Sequence, residues 1–221
     1  MNKNSRFFNP ILIPSCSHVG VAAADLTSCT ADFSEKTIVR MRTTFLNSRI
    51  TIRPFITEDA PGLFSATRES VAQLCAWMTW CTPEYSMRDS RTFIARSQAD
   101  WEANVAYNFA ILNTDEQTTL GSVGLNQINR NHNLANLGIW VRTSSTCRGV
   151  ASAAIRMAAA FAFEQLGLNR VELLIASDNA PSLRAAEKGG AKCEGILRKR
   201  LLLGGRIHDA CMYSLLRSDL G

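Results

Sequence analysis

Leu137-Gly138-Ile139-Trp140-Val141, followed a few residues on by Thr146-Cys147-Arg148-Gly149-Val150-Ala151-Ser152, is the stretch whose reading decides the fold. The first run closes an apolar segment, Leu134 to Val141, that reads as a strand. After the second run, Ile155, Ala158, Ala159, Ala162 and Leu166 recur at helical spacing until Gly167 stops them. Between strand and helix lies a loop of small polar residues with Arg, Gly and Ala at the helix mouth. Free backbone N–H groups point out of a helix start, and the helix dipole favours an anion there. Gly149 and Ala151 let a pyrophosphate approach the backbone closely, and Arg148 adds charge. An ordinary glycine-containing loop is the other reading of this piece. Neither GxxxxGK[ST] nor GxGxxG occurs, so this is neither a Walker loop nor a dinucleotide fingerprint.

Downstream, Val171 to Ala176 reads as a short buried strand. Asp178-Asn179-Ala180-Pro181-Ser182 then opens a helix that Gly189-Gly190 ends. This puts Asn179 and Ser182 at the carboxyl end of a strand, where open α/β sheets hold their ligands. The same two residues also suit plain helix capping. Two strands follow, near Cys193 to Leu203 and Asp209 to Leu215, with Gly204-Gly205 as the hairpin turn.

Upstream, Ile50, Ile52 and Pro54 begin a strand, with Thr51 and Arg53 outward. Thr57-Glu58-Asp59 and Pro61 start a helix whose buried stripe is expected at Leu63, Phe64, Val71 and Leu74. Pro83 breaks the run beyond Trp77 and Trp80. A second helix is expected from Ser90 to about Asn104, and strands over Asn108 to Leu112 and Thr119 to Leu125. This order predicts an α/β protein: a mixed sheet with helices on its faces. Residues 1–45 hold Pro10, Pro14 and many Ser, Thr and Asn without sustained period, and predict a poorly ordered arm ahead of a domain over 46–221. Val19 to Ala24 is too short for a secretory signal, and Met41 is a candidate start.

With 46% hydrophobic and 19% charged residues, the composition is that of a globular protein. No apolar run reaches the ~18 residues of a membrane span. The net charge of +5 suits an anionic ligand. Without a basic–aromatic stripe it does not argue for nucleic acid. Seven cysteines without CxxC spacing predict free thiols in a reducing cytoplasm. Three histidines and no HExxH give no expectation of a metal.

Taken together, Ile52-Arg53-Pro54, Leu120-Gly121-Ser122-Val123-Gly124, Leu137-Gly138-Ile139-Trp140, Arg148-Gly149-Val150-Ala151-Ser152, Asp178-Asn179-Ala180-Pro181-Ser182, Glu194-Gly195 and Asp209 to Tyr213 resemble the GNAT superfamily of N-acetyltransferases. They are most similar to its RimL/RimJ-like branch of ribosomal-protein N-acetyltransferases. The resemblance runs from about Ile50 to Leu220. It implies the GNAT fold, a splayed sheet, and acetyl-CoA as cosubstrate. The backbone at Trp140 and Val141 would hold the pantetheine arm, and Arg148, Gly149, Val150, Ala151 and Ser152 the pyrophosphate. Asn179 would contact the cofactor near its reactive end, and Ser182 would protonate the departing thiolate. Three departures stand out. Thr146 replaces the Gln or Arg that opens the pyrophosphate motif. Asn136 and Ile139 replace a Glu and an aromatic residue. Leu201 falls where RimL carries a proposed carboxylate base.

The resemblance thus implies transfer of acetyl to a primary amine by direct attack. A missing base favours an α-amine over a lysine. At pH ~7.4 roughly a fifth to a third of an α-amine is neutral, against about 0.1% of a lysine amine. The expected acceptor is therefore a protein N-terminus. A small amine or an aminoacyl-nucleotide is the alternative, and a catalytically silent CoA-binding scaffold is a third. Trp77 and Trp80 are candidate acceptor-site residues; packing beneath the first helix would also account for them. Cys147 is not expected to be a nucleophile, since no His lies near it in sequence. A homodimer is the candidate assembly.

Overall fold

The computed structural model describes residues 41–220. Apart from residues 41–45, the expected N-terminal arm lies outside the described residues, as does Val19 to Ala24. Eight strands form one sheet: β1 (Phe45–Leu46), β2 (Ile50–Pro54), β3 (Tyr107–Asn113), β4 (Thr119–Asn129), β5 (Leu134–Val141), β6 (Arg170–Ala176), β7 (Lys192–Leu203) and β8 (Arg206–Leu216). Their order is β1-β2-β3-β4-β5-β6-β8-β7. Every pairing is antiparallel except β5 with β6. Among the described residues four α-helices accompany the sheet: α1 (Ala60–Trp77), α2 (Met87–Glu102), α3 (Val150–Glu164) and α4 (Ala180–Lys188).

β3 shows why both faces must be covered. Tyr107, Phe109 and Ile111 join the core under α3, while Ala110 and Leu112 join a second core with Leu63 of α1 and Ile94 of α2. Successive strand residues point to opposite faces, so a strand apolar at every position needs a layer on each side. Phe161 of α3 anchors the larger core. Its ring meets those of Phe109 at 5.1 Å, Tyr107 at 5.3 Å, Trp101 at 5.5 Å and Phe45 at 6.1 Å.

The helix stripe of α1 differs from the expected one. Leu63 and Leu74 are buried, but Phe64 and Val71 are half-buried, and Ala66, Thr67 and Ser70 complete the stripe. Small and hydroxylated residues suffice there because Thr67 and Ser70 return their hydroxyls to the carbonyls of Leu63 and Ala66, at 2.9 and 2.8 Å. α2 begins three residues earlier than expected. The Asp89 carboxylate accepts from the backbone N–H and hydroxyl of Ser86, a capping box that fixes the start. Leu166 lies beyond the end of α3. β8 starts at Arg206, so His208 stands inside a strand rather than in the hairpin turn. No helix among the described residues is long and apolar enough to cross a membrane.

Replacing Phe161 with Ala should destabilise the fold by about 3–5 kcal/mol, the usual cost of emptying a buried aromatic site. Urea denaturation should show the midpoint falling with the slope unchanged.

Candidate active site

β5 and β6 pair for three residues only: Leu134 with Arg170, Ala135 with Val171, Asn136 with Glu172. Beyond them each strand keeps its other neighbour. β5 stays on β4 as far as Val141, and β6 stays on β8 as far as Ala176. The sheet therefore opens into a wedge between Leu137–Val141 and Leu173–Ala176. Arg142 N–H donates to Leu120 O at 2.7 Å. Alternate residues of an antiparallel ladder bond the same neighbour, so Val141 turns its N–H to the open edge. Gly121 makes the close approach of β4 to β5 possible here. A Cβ on it would stand 2.1 Å from the Trp140 carbonyl oxygen.

The loop after β5 ends in two left-handed residues, Cys147 at φ 60° and Gly149 at φ 79°. Gly149 is the N-cap of α3 and supplies no side-chain cap. Backbone bonding resumes when Ala153 N–H donates to Gly149 O. The N–H groups of Cys147 through Ser152 thus have no acceptor among the described residues. They form a row of donors at the wedge's mouth. Nothing lies within 4 Å of where a Gly149 Cβ would be. Arg148 is exposed and makes no ion pair among the described residues. A diphosphate fits this cradle: open space, aligned donors and one exposed guanidinium.

What holds the loop is a contact that sequence reading missed. Glu69 of α1 accepts from the Arg142 guanidinium, with Nε at 2.9 Å, and from Ser144 N–H at 2.7 Å. Ser70 Oγ accepts from Thr143 N–H at 3.0 Å. The Arg142 guanidinium, then the Ser144 N–H, hold the Glu69 carboxyl well below the usual carboxylate range, at about 2. Glu69 and Arg142 lie 73 positions apart, and no local pattern links them.

The second wall is the β6–α4 junction. Asn179 is buried and caps α4, its Oδ1 accepting from Ser182 N–H at 3.3 Å. Its Nδ2 has no acceptor among the described residues. The half-buried Ser182 makes no side-chain hydrogen bond there either. Trp77 and Trp80 part company. Trp80 packs its ring 6.1 Å from Trp140 and 5.9 Å from Tyr85, whereas Trp77 lies 6.1 Å from the ring of His208. Both are half-buried. The exposed Cys147 has no histidine partner. No cluster of three or more His, Cys, Asp or Glu suited to a metal occurs among the described residues.

A sheet opened between two parallel strands, with a helix start at the end of each, leaves a gap suited to an extended, phosphate-bearing ligand. Residues 49–192 match the acetyltransferase (GNAT) domain family, and the chain belongs to it. It is an acetyl-CoA-dependent N-acetyltransferase. Over 185 residues it is 30% identical to the Bacillus subtilis (strain 168) protein named "Putative ribosomal N-acetyltransferase YdaF", covering 81% of this chain and 97% of that one. Mycobacterium smegmatis RimJ, solved with CoA-disulfide, superimposes with a TM-score of 0.71 at 22% identity, over 77% of this chain and 83% of RimJ. The microcin C7 self-immunity acetyltransferase MccE, solved with acetyl-CoA and AMP, gives 0.70 at 24% identity, over 77% and 93%. The similarity to the ribosomal N-acetyltransferase relative supports the RimL/RimJ-like branch, and the two solved structures share the fold.

Replacing Glu69 with Gln should loosen the loop and raise the KM for acetyl-CoA several-fold. The same change gives a pH signature. A carboxyl held at about 2 in the fold, against about 4.3 in the unfolded chain, stabilises the protein fully above the unfolded value. That contribution fades as pH falls toward the folded value. Melting curves between those two values should drop less steeply for Glu69→Gln than for the wild type.

Proposed function

We propose that this chain acetylates the α-amino group of a protein N-terminus by direct attack of the amine. The observation that carries the reading is the wedge between β5 and β6 with unpaired donors at its mouth. The N–H groups of Cys147 to Ser152 and the Arg148 guanidinium bind the diphosphate. The backbone edges of Trp140 and Val141 hold the pantetheine arm. Acetyl-CoA, when bound, supplies an activated acetyl thioester and a good leaving group. Val141 N–H faces the open edge and polarises the carbonyl oxygen. Asn179 uses Oδ1 as a cap and keeps Nδ2 free to orient the ligand near its reactive end. Ser182 Oγ donates the proton that the departing sulfur needs. No cysteine takes part.

The protein N-terminus is favoured by the similarity to a relative named for ribosomal acetylation. A second reading, an aminoacyl-nucleotide acceptor, draws on one observation. The half-buried indole of Trp77, packed against His208, can stack on a base, and the MccE structure contains AMP beside acetyl-CoA.

Calorimetry of CoA binding to the full chain tests the cradle. Gly149→Glu places a negative charge where the diphosphate sits, with space to fold around it. CoA affinity should fall at least about 10-fold, roughly 1.4 kcal/mol, while the strained φ adds about 1–2 kcal/mol of destabilisation. Unchanged affinity would sink the reading of this loop. Peptides with free Ser or Ala N-termini, set against aminoacyl-nucleotides, then decide the acceptor class.

A further inference from the structure

Three elements remote in sequence converge on His208 of β8. Asp178, from the turn between β6 and α4, brings its carboxylate oxygens to 3.0 and 3.2 Å from His208 Nδ1. Trp77, the last residue of α1, packs against the ring at 63°. The imidazole is largely enclosed, with 17% of its side chain exposed, while Asp178 is open to solvent at 57%. Asp178 directly precedes Asn179, so this pair borders the wall that carries Asn179 and Ser182. Nε2 has no partner among the described residues.

A carboxylate at Nδ1 selects the tautomer with the proton on Nδ1, which leaves the Nε2 lone pair unprotonated and available. His208 is the cross-strand partner of Leu201. Partners in a ladder share a face of the sheet, so the imidazole and the apolar Leu201 side chain stand on the same face. β7 is bulged at this point. Arg198, Lys199 and Arg200 stand against Asp209, whose Oδ1 accepts from Lys199 N–H at 2.7 Å. Asp178 is thus the charged partner of the imidazole, and the nearest charged residues along the strands are Asp209 beside it in β8 and Arg198, Lys199 and Arg200 in the β7 bulge opposite Asp209. α1 contributes the uncharged Trp77.

We infer that His208 is the general base that deprotonates the acceptor amine, with Asp178 as its positioning residue. This rests on the acetyltransfer reading above. The acceptor ammonium gives one proton to His208 Nε2. The freed lone pair forms the new C–N bond as the C–S bond of the thioester breaks. Sulfur takes its proton from Ser182, and the proton shed by the new amide nitrogen restores the serine. His208 then returns its proton to solvent. The net products are an amide, a thiol and one released proton.

Two measurements on the full chain test the inference. The first needs no turnover. With ¹⁵N-labelled histidine, the resonances lost in His208→Gln identify the ring, and its shifts should report the Nδ1–H tautomer. Asp178→Asn should give a tautomer mixture. A ring protonated on Nε2 in the wild type would overturn the assignment. The second follows acetylation of a peptide with a free Ser N-terminus, and hydrolysis of acetyl-CoA without any amine. Water does not titrate in this range, so an acid limb in the hydrolysis profile reads the base alone. His208→Gln should lower both rates by about 100-fold or more, abolish that limb and leave acetyl-CoA affinity within about 2-fold, while Asp178→Asn lowers them less. Retained rates, or a loss that tracks acetyl-CoA affinity, would show a merely structural histidine. Hydrolysis that depends on His208 without peptide acetylation would keep this inference and discard the protein N-terminus as acceptor.

Discussion

Parallel pairing between β5 and β6 lasts for three residue pairs, and the rest of the site depends on its ending there. A fully zipped parallel pair would spend its edge N–H and C=O groups on the ladder. Because β4 and β8 hold the two strands on their outer sides, the wedge stays open while the rest of the sheet remains paired. Open edges inside a sheet are unusual, since buried backbone groups need partners. In the proposed function the missing partner is the ligand. Both α3 and α4 start at the carboxyl ends of the parted strands, so the opening and the two helix dipoles face the same place.

The wedge has to be held as well as opened. Gly121 lets β4 and β5 approach to a distance that a side chain would forbid. Glu69 and Ser70 tie the loop after β5 to α1 through Arg142, Thr143 and Ser144. This anchoring leaves the donors of Cys147 to Ser152 free of internal bonds while fixing the chain that carries them. Thr146, the departure in the pyrophosphate motif, bonds within the same loop. The Thr146 hydroxyl turns inward to the Thr143 carbonyl at 2.8 Å, and Arg148 keeps the exposed charge.

Much of the fold was legible because its signals are local. Leu134 to Val141 shows its apolar run, Gly204-Gly205 marks the hairpin turn, and Asn179 with Pro181 marks a helix start; each element stands where these residues put it. Phe64 and Val71 misled because a residue's burial depends on which side of α1 the sheet occupies, and periodicity alone allows a neighbouring face. Trp77 and Trp80 read as one pair and separate in space, one beside His208 and one on Trp140. His208 itself carried no signal. A lone histidine near a turn acquires meaning only when β8 extends back to Arg206 and Asp178 meets it across 30 positions.

The sequence by itself determined the order of strands and helices from Ile50 onward, the glycine at the mouth of α3 and the cap of α4. Each rests on backbone preferences and apolar spacing within a few residues. Only the tertiary structure decided that β5 and β6 part after Asn136, that Glu69 holds the loop, and that Asp178 and Trp77 enclose His208. Those are contacts between segments far apart in the chain. Their geometry is set by how two cores, one on each face of β3, fix the helices against a single sheet.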